Sequence, residues 1–390
     1  MSSRDAVIVD AIRTPIARGK QGAPLSSIHP VDLLAQTLRH LVSRSALDPG
    51  TVDDVMIGCV SQVSEQSGTP GRMAWLGAGF PEHVPATTID RKCGSSQQAV
   101  HFAAQAIMSD QADIVIAGGV ESMSRVPMGS ARQGADPYGR MVAERYAPGL
   151  TSQGVSAELV AARYSISRAQ LDAYSAESHR RAAASDFARE IVPVSDGTTT
   201  ITVDSTVRPD TTPERLAELN PVFRTDELAE RFPEIDWSIT AGNSSQITDG
   251  ASASLIMSAG TAEKLGLTPR ARIHAMSVVG ADPLLMLTGP IPAARRALER
   301  AGLTPSDISH VEVNEAFAPV PIAFMQELGF DHSVVNPRGG AIALGHPLGA
   351  TGTRLLTTML HALEDTGGRF GLQAVCEAGG MANATIIERL

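Results

Sequence analysis

An α/β fold with helices on both faces of its sheet is predicted by three features of the sequence. Short apolar runs that suit buried strands alternate with segments of helical periodicity. Turn residues separate them, and the order of segments that opens the chain returns near its end. For 390 residues, two or three structural units are expected. A hydrophobic content of 43%, with 35 Gly and 24 Pro, supplies large cores joined by tight turns and argues against disorder.

Taken in order, Ala6–Val9 reads as a strand, Pro30–Ser43 as a helix and Val55–Val60 as a second strand. The stretch Thr87-Thr-Ile-Asp-Arg-Lys-Cys93-Gly-Ser then brings an apolar, β-branched run to a cysteine followed by two small residues. Val100, Ala103, Ala104 and Ile107 recur at helical spacing, so a buried helix starts at or just after Cys93. A thiol at a helix N-terminus lies beside unpaired N–H groups and the positive end of the helix dipole. Both favour the thiolate of a group whose ordinary pKa is about 8.5. The alternative is a buried structural cysteine. Asp113–Ala117 is a further buried strand, ended by Gly118-Gly119.

From about Ser122 the chain becomes richer in Arg, Pro, Ser and Thr. Residues 122–243 read as an insertion with helices over Ser156–Arg163 and Arg168–Phe187. From Arg272 the opening pattern returns: a strand from Arg272, a helix over Pro292–Arg300, and an echo of Thr51–Cys59 in Ser306–Asn314. Ala117-Gly-Gly-Val-Glu-Ser-Met123 is echoed by Val375-Cys-Glu-Ala-Gly-Gly-Met381. The expected division is a first half over 1–268, carrying the insertion, and a second over 269–390. Two similar halves would set their loops around a shared cleft.

Three further stretches carry chemistry. Between Asn336 and Gly352, seven residues are Gly or Pro, and His346 is fixed between Gly345 and Pro347 ahead of a helix, Thr353–Leu363. A histidine so placed suits a general base for a thiol, or an oxyanion donor. Asn314-Glu-Ala-Phe-Ala follows the strand Val311–Val313; its amide suits an oxyanion site, although such a pair is also a common helix cap. Cys376 closes the strand Leu372–Val375, a context in which a cysteine is more often core.

The formal net charge of −10, with no dense Lys/Arg run, argues against a nucleic-acid partner; positive charge for an anionic substrate must be local. Cys59, Cys93 and Cys376 lie far apart, which indicates neither a disulfide framework nor a zinc site and fits a reducing cytoplasm. Met1-Ser-Ser-Arg-Asp-Ala-Val leads directly into a strand-like run with no room for a signal peptide, and no membrane-length apolar run occurs.

Cys93-Gly94-Ser95, Asn314-Glu-Ala-Phe317, Gly345-His346-Pro347 and Cys376 together resemble the thiolases. Gly118-Gly-Val-Glu-Ser-Met-Ser124 and Thr240-Ala-Gly-Asn243 extend the resemblance, which runs from about Asp5 to Leu390. It implies a five-layered αβαβα fold of two similar halves, with an inserted loop domain that holds coenzyme A as co-substrate, and no permanently bound cofactor or metal. It implies that Cys93 carries the acyl group as a thioester, that His346 accepts its proton and that Cys376 moves the proton of the acetyl α-carbon. Asn314 (through a water) and His346 would form one oxyanion hole, and backbone N–H groups at Cys93 and near Ala378 another. Coenzyme A contacts carried over by position are Arg208, Phe223, Ala241, Ser244, Ser245, Met286 and Phe317. The implied activity is reversible thiolysis of 3-ketoacyl-CoA in acyl-CoA degradation, by a homodimer or homotetramer with no membrane partner.

Two departures from the family pattern stand out. Ala378 occupies a position that is usually glycine, and Ser152-Gln153 stand where acetyl-specific biosynthetic members have His-Met. The second favours a degradative enzyme with a larger acyl pocket. A ketoacyl synthase-like condensing enzyme would lack the second cysteine, and a catalytically silent acyl-CoA-binding subunit would lose the nucleophile or the histidine; this chain keeps all three.

Overall fold

The structure, a computed structural model, describes residues 2–390. The chain opens with β1 (Ala6–Arg13), β2 (Ala17–Arg18), α1 (Pro30–Arg44), β3 (Asp54–Gly58), α2 (Pro70–Gly77), β4 (Ala86–Ile89), α3 (Ser95–Met108) and β5 (Ile114–Ser122). There follow α4 (Gly139–Arg145), α5 (Gln153–Arg163), α6 (Arg168–Ala184), the small hairpin β6 (Val194–Ser195) and β7 (Thr200–Ile201), α7 (Pro213–Ala217) and α8 (Asp226–Arg231). The chain then returns to the sheet with β8 (Thr248–Ser258) and α9 (Ala259–Leu265). The last part comprises β9 (Ala271–Gly280), α10 (Pro290–Ala301), β10 (Ile308–Val313), α11 (Pro319–Leu328), α12 (Ala341–Leu344), α13 (Thr351–Thr366), β11 (Phe370–Glu377) and β12 (Met381–Arg389).

Local signals account for many of these boundaries. In α1, His29 caps the N-terminus, Pro30 stands where a missing N–H costs nothing, and Asp32 and Arg44 oppose the dipole charges at the two ends. Ser167 and Gln170 form a reciprocal capping box at the start of α6.

The strands run β4-β3-β5-β8-β1 and then β9-β12-β11-β10. Among the described residues, the strand pairing that joins the two series is limited to Val7↔Arg272 and Ile8↔Ala271. In the first, β3, β4 and β5 are parallel, and β8 is the antiparallel strand between β5 and β1. In the second, β10 and β11 are parallel, and β12 is the antiparallel strand between β11 and β9. A parallel bridge from Val311 to Val335 stands where β4 stands in the first series. The repeat read in the sequence is thus a repeat of topology. Helices α1 and α10 cover the outer faces, while α3 and α13 pack on each other between the two series. From Thr351 to Leu363 every residue of α13 is buried, as a helix in the middle of five layers requires.

Several strands differ from their expected extents, among them β1, which runs on to Arg13, and β11, which spans Phe370–Glu377; β5 is the one whose path bears on the packing of the halves. β5 passes through Gly118-Gly119 to Ser122 and does not end at them. A Cβ at Gly118 would strike the Ser252 carbonyl, and one at Gly119 would strike the Gly349 carbonyl. These glycines permit close backbone approach and do not break the strand. Gly349 itself faces Gly58 across the halves, its missing Cβ only 2.7 Å from the Gly58 carbonyl oxygen. Glu121, at the end of β5, accepts from the Val60, Ser61 and Gly349 N–H groups and from Gln66 Nε2, which ties the loop after His346 to the first half.

Candidate active site

Cys93 lies in a tight turn between β4 and α3. Lys92 adopts a left-handed conformation (φ 49°), its N–H bonded to Asp90 Oδ1, while Ser95 Oγ donates to the Lys92 carbonyl and accepts from Arg91 N–H. Gly94 caps α3, which begins at Ser95, so the thiol does stand at a helix N-terminus. It is 4% exposed and packs against Leu355 of α13 and Val375 of β11. The expected ease of ionisation is not found. Burial, with the nearby Glu377 carboxyl, pushes the Cys93 thiol up to about 12, and the Gln153 amide and a backbone N–H oppose this only in part. Desolvation of a fully enclosed sulfur outweighs the helix end.

His346 is held on three sides. Gly345, at φ 97°, turns the chain; the His346 N–H donates to the Gln246 carbonyl at 3.1 Å; and Nδ1 lies 2.6 Å from Thr351 Oγ1. The Thr351 hydroxyl spends its proton on the Pro347 carbonyl at 3.0 Å, so it accepts from Nδ1. The Nδ1–H tautomer is thereby fixed, and Nε2 is left as a lone pair. Nε2 lies 3.4 Å from Asn314 Nδ2. Burial, and secondarily Arg354, lower the His346 pKa to about 3, so the imidazole is neutral at rest.

Asn314 follows β10 and is buried; its N–H donates to the Ala374 carbonyl, and it does not cap a helix, since α11 begins at Pro319. Its neighbour Glu315 anchors the insertion, accepting from Tyr174 and Ser178 of α6, from Asn336 Nδ2 and from the Ile342 N–H. Cys376 lies within β11, not just beyond its end, and is fully enclosed. Burial, then Cys93, then Glu377 push its thiol well above the ordinary range, which places the two sulfurs in one electrostatic neighbourhood. Ala378 is not among the residues with positive φ, whereas Gly379 and Gly380 are. Alanine therefore fits where glycine was expected.

Of the residues expected to contact coenzyme A, Phe223 and Phe317 meet edge to face at 6.0 Å and flank the core that contains Met286. Ser244 bridges to Phe317, and the Ser245 N–H donates to the Ala316 carbonyl. Ala241 is exposed on the turn ahead of them. Arg208 is exposed, donates to Gln246 Oε1 at 3.3 Å and has no carboxylate partner among the described residues. Through Gln246 it connects to the backbone that holds His346.

Three contributors escaped the sequence reading. Thr351 opens α13, with only its spacing of five from His346 to mark it. Gln153, read only as part of a larger acyl pocket, lies near enough to Cys93 to favour its thiolate although its Nε2 has no hydrogen-bond partner among the described residues, while Ser152 caps α5. Glu377 follows Cys376 directly and has no motif of its own.

Residues 6–260 match the family model described as thiolase, N-terminal domain, and residues 267–389 the one described as thiolase, C-terminal domain. The chain is similar to the steroid 3-ketoacyl-CoA thiolase of Mycobacterium tuberculosis, 48% identical with 99% of this chain and 94% of that protein covered. It is also similar to the 3-ketoacyl-CoA thiolase of Aeromonas salmonicida, 43% identical with 99% and 100% covered. Among solved structures it resembles the Bacillus anthracis acetyl-CoA acetyltransferase, with a TM-score of 0.87, 35% identity and 99% of both chains covered.

Proposed function

Because this chain belongs to the thiolase family, we propose that it cleaves 3-ketoacyl-CoA with coenzyme A, giving acetyl-CoA and a shortened acyl-CoA, in acyl-CoA degradation. It is an acyltransferase. The observation that carries the reading is the fixed tautomer of His346, whose Nε2 lone pair faces a neutral amide donor; beside it stands the pairing of two buried thiols, Cys93 and Cys376, in one electrostatic neighbourhood. Cys93 attacks the 3-keto carbonyl, its proton passing to His346 Nε2. Once protonated, Nε2 becomes a donor and joins Asn314 in holding the oxyanion. The tautomer sets this order: His346 is a base first and an oxyanion donor second. Cleavage of the carbon–carbon bond leaves the acetyl-CoA enolate, which takes a proton from Cys376. The acyl group, now a thioester on Cys93, is transferred to the sulfur of a second coenzyme A, whose thiol proton passes to the Cys376 thiolate while the departing Cys93 thiolate recovers its proton from His346.

We assign the first half to residues 1–268, the second to 269–390 and the loop domain to about 122–243. The loop domain supports coenzyme A through Phe223 and Ala241, with Ser244 and Ser245 just past its end and Met286 and Phe317 from the second half. Three free cysteines suit a reducing cytoplasm. Among the described residues no helix is long and apolar enough to cross a membrane. Assembly as a homodimer or homotetramer is part of the same proposal.

Arg208, as an exposed contact to a phosphate, should act on binding more than on chemistry. Arg208→Ala is expected to raise KM for coenzyme A about tenfold with kcat little changed. An unaltered KM would remove Arg208 from the cofactor path. Ser152-Gln153 remove bulk beside the acyl pocket, and two of the similar proteins are named as 3-ketoacyl-CoA thiolases. Thiolysis of 3-ketoacyl-CoAs longer than four carbons should at least equal that of acetoacetyl-CoA. A profile across substrates of increasing bulk tests the function as a whole, and strict preference for acetoacetyl-CoA would refute the degradative reading.

A further inference from the structure

Three buried carboxyls surround the reaction centre, and they are not alike. Glu121 and Glu315 each receive four hydrogen bonds. Glu377 is 0% exposed, yet neither of its oxygens has a partner among the described residues. Burial raises all three, but only at Glu121 and Glu315 do four donors oppose it. The Glu377 carboxyl lies against Gly94, the cap of α3: a Cβ there would collide with Oε1 and stand 2.9 Å from Cδ. It therefore occupies the same helix end as Cys93, and it follows Cys376 in the chain. The charged or titratable groups around it are Arg91 and Asp90, from the turn ahead of α3, and the two cysteines. Arg91 makes no ion pair with it: the Arg91 Nε is itself buried without a partner, and Nη1 points to Met381 Sδ at 3.9 Å.

Resting on the assignment of Cys93 as nucleophile, we propose that Glu377 is a positioning residue which stands as an uncharged carboxylic acid against the first turn of α3, so that the Cys93 thiolate alone takes the negative charge which that helix end accommodates. A buried carboxylate with no donor is a costly species, whereas the protonated acid is not. Two anions at one helix terminus would each disfavour the other, as in paired carboxylates that share a proton. The position of the group makes it a brake that depends on pH. With its pKa raised to about 8 by burial and Asp90 against the pull of Arg91, Glu377 is mostly neutral at neutral pH and gains its charge as the solution becomes alkaline. Its charge then opposes ionisation of Cys93 in the range where an isolated thiol would become more reactive.

The test compares Glu377→Gln, which imitates the neutral acid in shape, with the unaltered protein. Two quantities are read across pH: the rate of Cys93 alkylation by iodoacetamide, and acetyl transfer from acetyl-CoA to Cys93, followed by mass spectrometry. The ratio of variant to unaltered rate should climb about tenfold between about pH 6.5 and about pH 9.5, the change that one unit of thiol pKa produces. Arg91→Gln, which keeps the carboxyl and removes the cation favouring its charge, should shift the alkaline inflection of the otherwise unaltered protein to higher pH. A ratio that stays flat or falls, with Cys93 acetylated in both proteins, overturns the inference and leaves the function standing. If Glu377→Gln fails to fold, the Arg91→Gln profile decides alone, and an unmoved inflection overturns the inference. Absence of acetyl from Cys93 in the unaltered protein would instead sink the nucleophile assignment, and this inference with it.

Discussion

Cys376→Ala is expected to take up an acetyl group on Cys93 from acetyl-CoA, and to exchange free with bound coenzyme A, while losing thiolysis and condensation by at least ~10²-fold. Loading breaks one thioester and makes another, and its proton moves only between sulfur atoms by way of His346. Carbon–carbon chemistry also needs a proton given to or taken from the acetyl α-carbon. Cys376 shares the electrostatic neighbourhood of Cys93 and is enclosed on β11 with no other assigned task. Cys93→Ala should lose both half-reactions. Mass spectrometry of the Cys93 peptide, with a thiolysis assay on the same preparations, separates the two roles. If Cys376→Ala loses acetylation as completely as thiolysis, Cys376 is serving the structure and the division of labour is wrong.

For His346→Ala the expected loss in kcat is at least ~10²–10³-fold, the value of one oxyanion donor, with the loss of the base added to it. Retention of more than about a tenth of the unaltered kcat would remove His346 from the mechanism. Thr351→Val offers a finer reading. It keeps the shape but removes the acceptor that fixes Nδ1–H, so the imidazole is free to carry its proton on either nitrogen. Its kcat should fall less than that of His346→Ala, with KM for coenzyme A held. A Thr351→Val enzyme of full kcat would show that the tautomer needs no help.

Much of this arrangement was legible because its residues are punctuated. Cys93 precedes a helix of strict periodicity, and His346 stands in a run of glycine and proline that few other roles require. The alternation of strands and helices, and its return after Arg272, gave the architecture. Less legible was whatever depends on distance through space. Gly118-Gly119 look like a strand end, and only the Ser252 and Gly349 carbonyls that crowd them reveal a strand passing through. The dipole at α3 favours a thiolate, but a sequence does not disclose how completely the sulfur is enclosed or that Glu377 is beside it. Thr351 is one of several threonines in α13, and Glu377 ends β11 without a motif of its own. Their meaning comes from what they face and not from their neighbours in the chain.

The place of β12 bears on how the protein is made. This strand, the last to leave the ribosome of those described here, lies between β11 and β9, and β9 is the strand that meets β1. Until residue 389 has been synthesised, the second series is open between β9 and β11. The faces of α3 and α13 that are buried in the finished molecule then have only part of their cover. A nascent chain of this topology carries the inner face of its first series as sticky surface until α13 arrives, so the completion of the first half waits on the second. Intolerance of deletions that remove β12 follows from the position of that one strand.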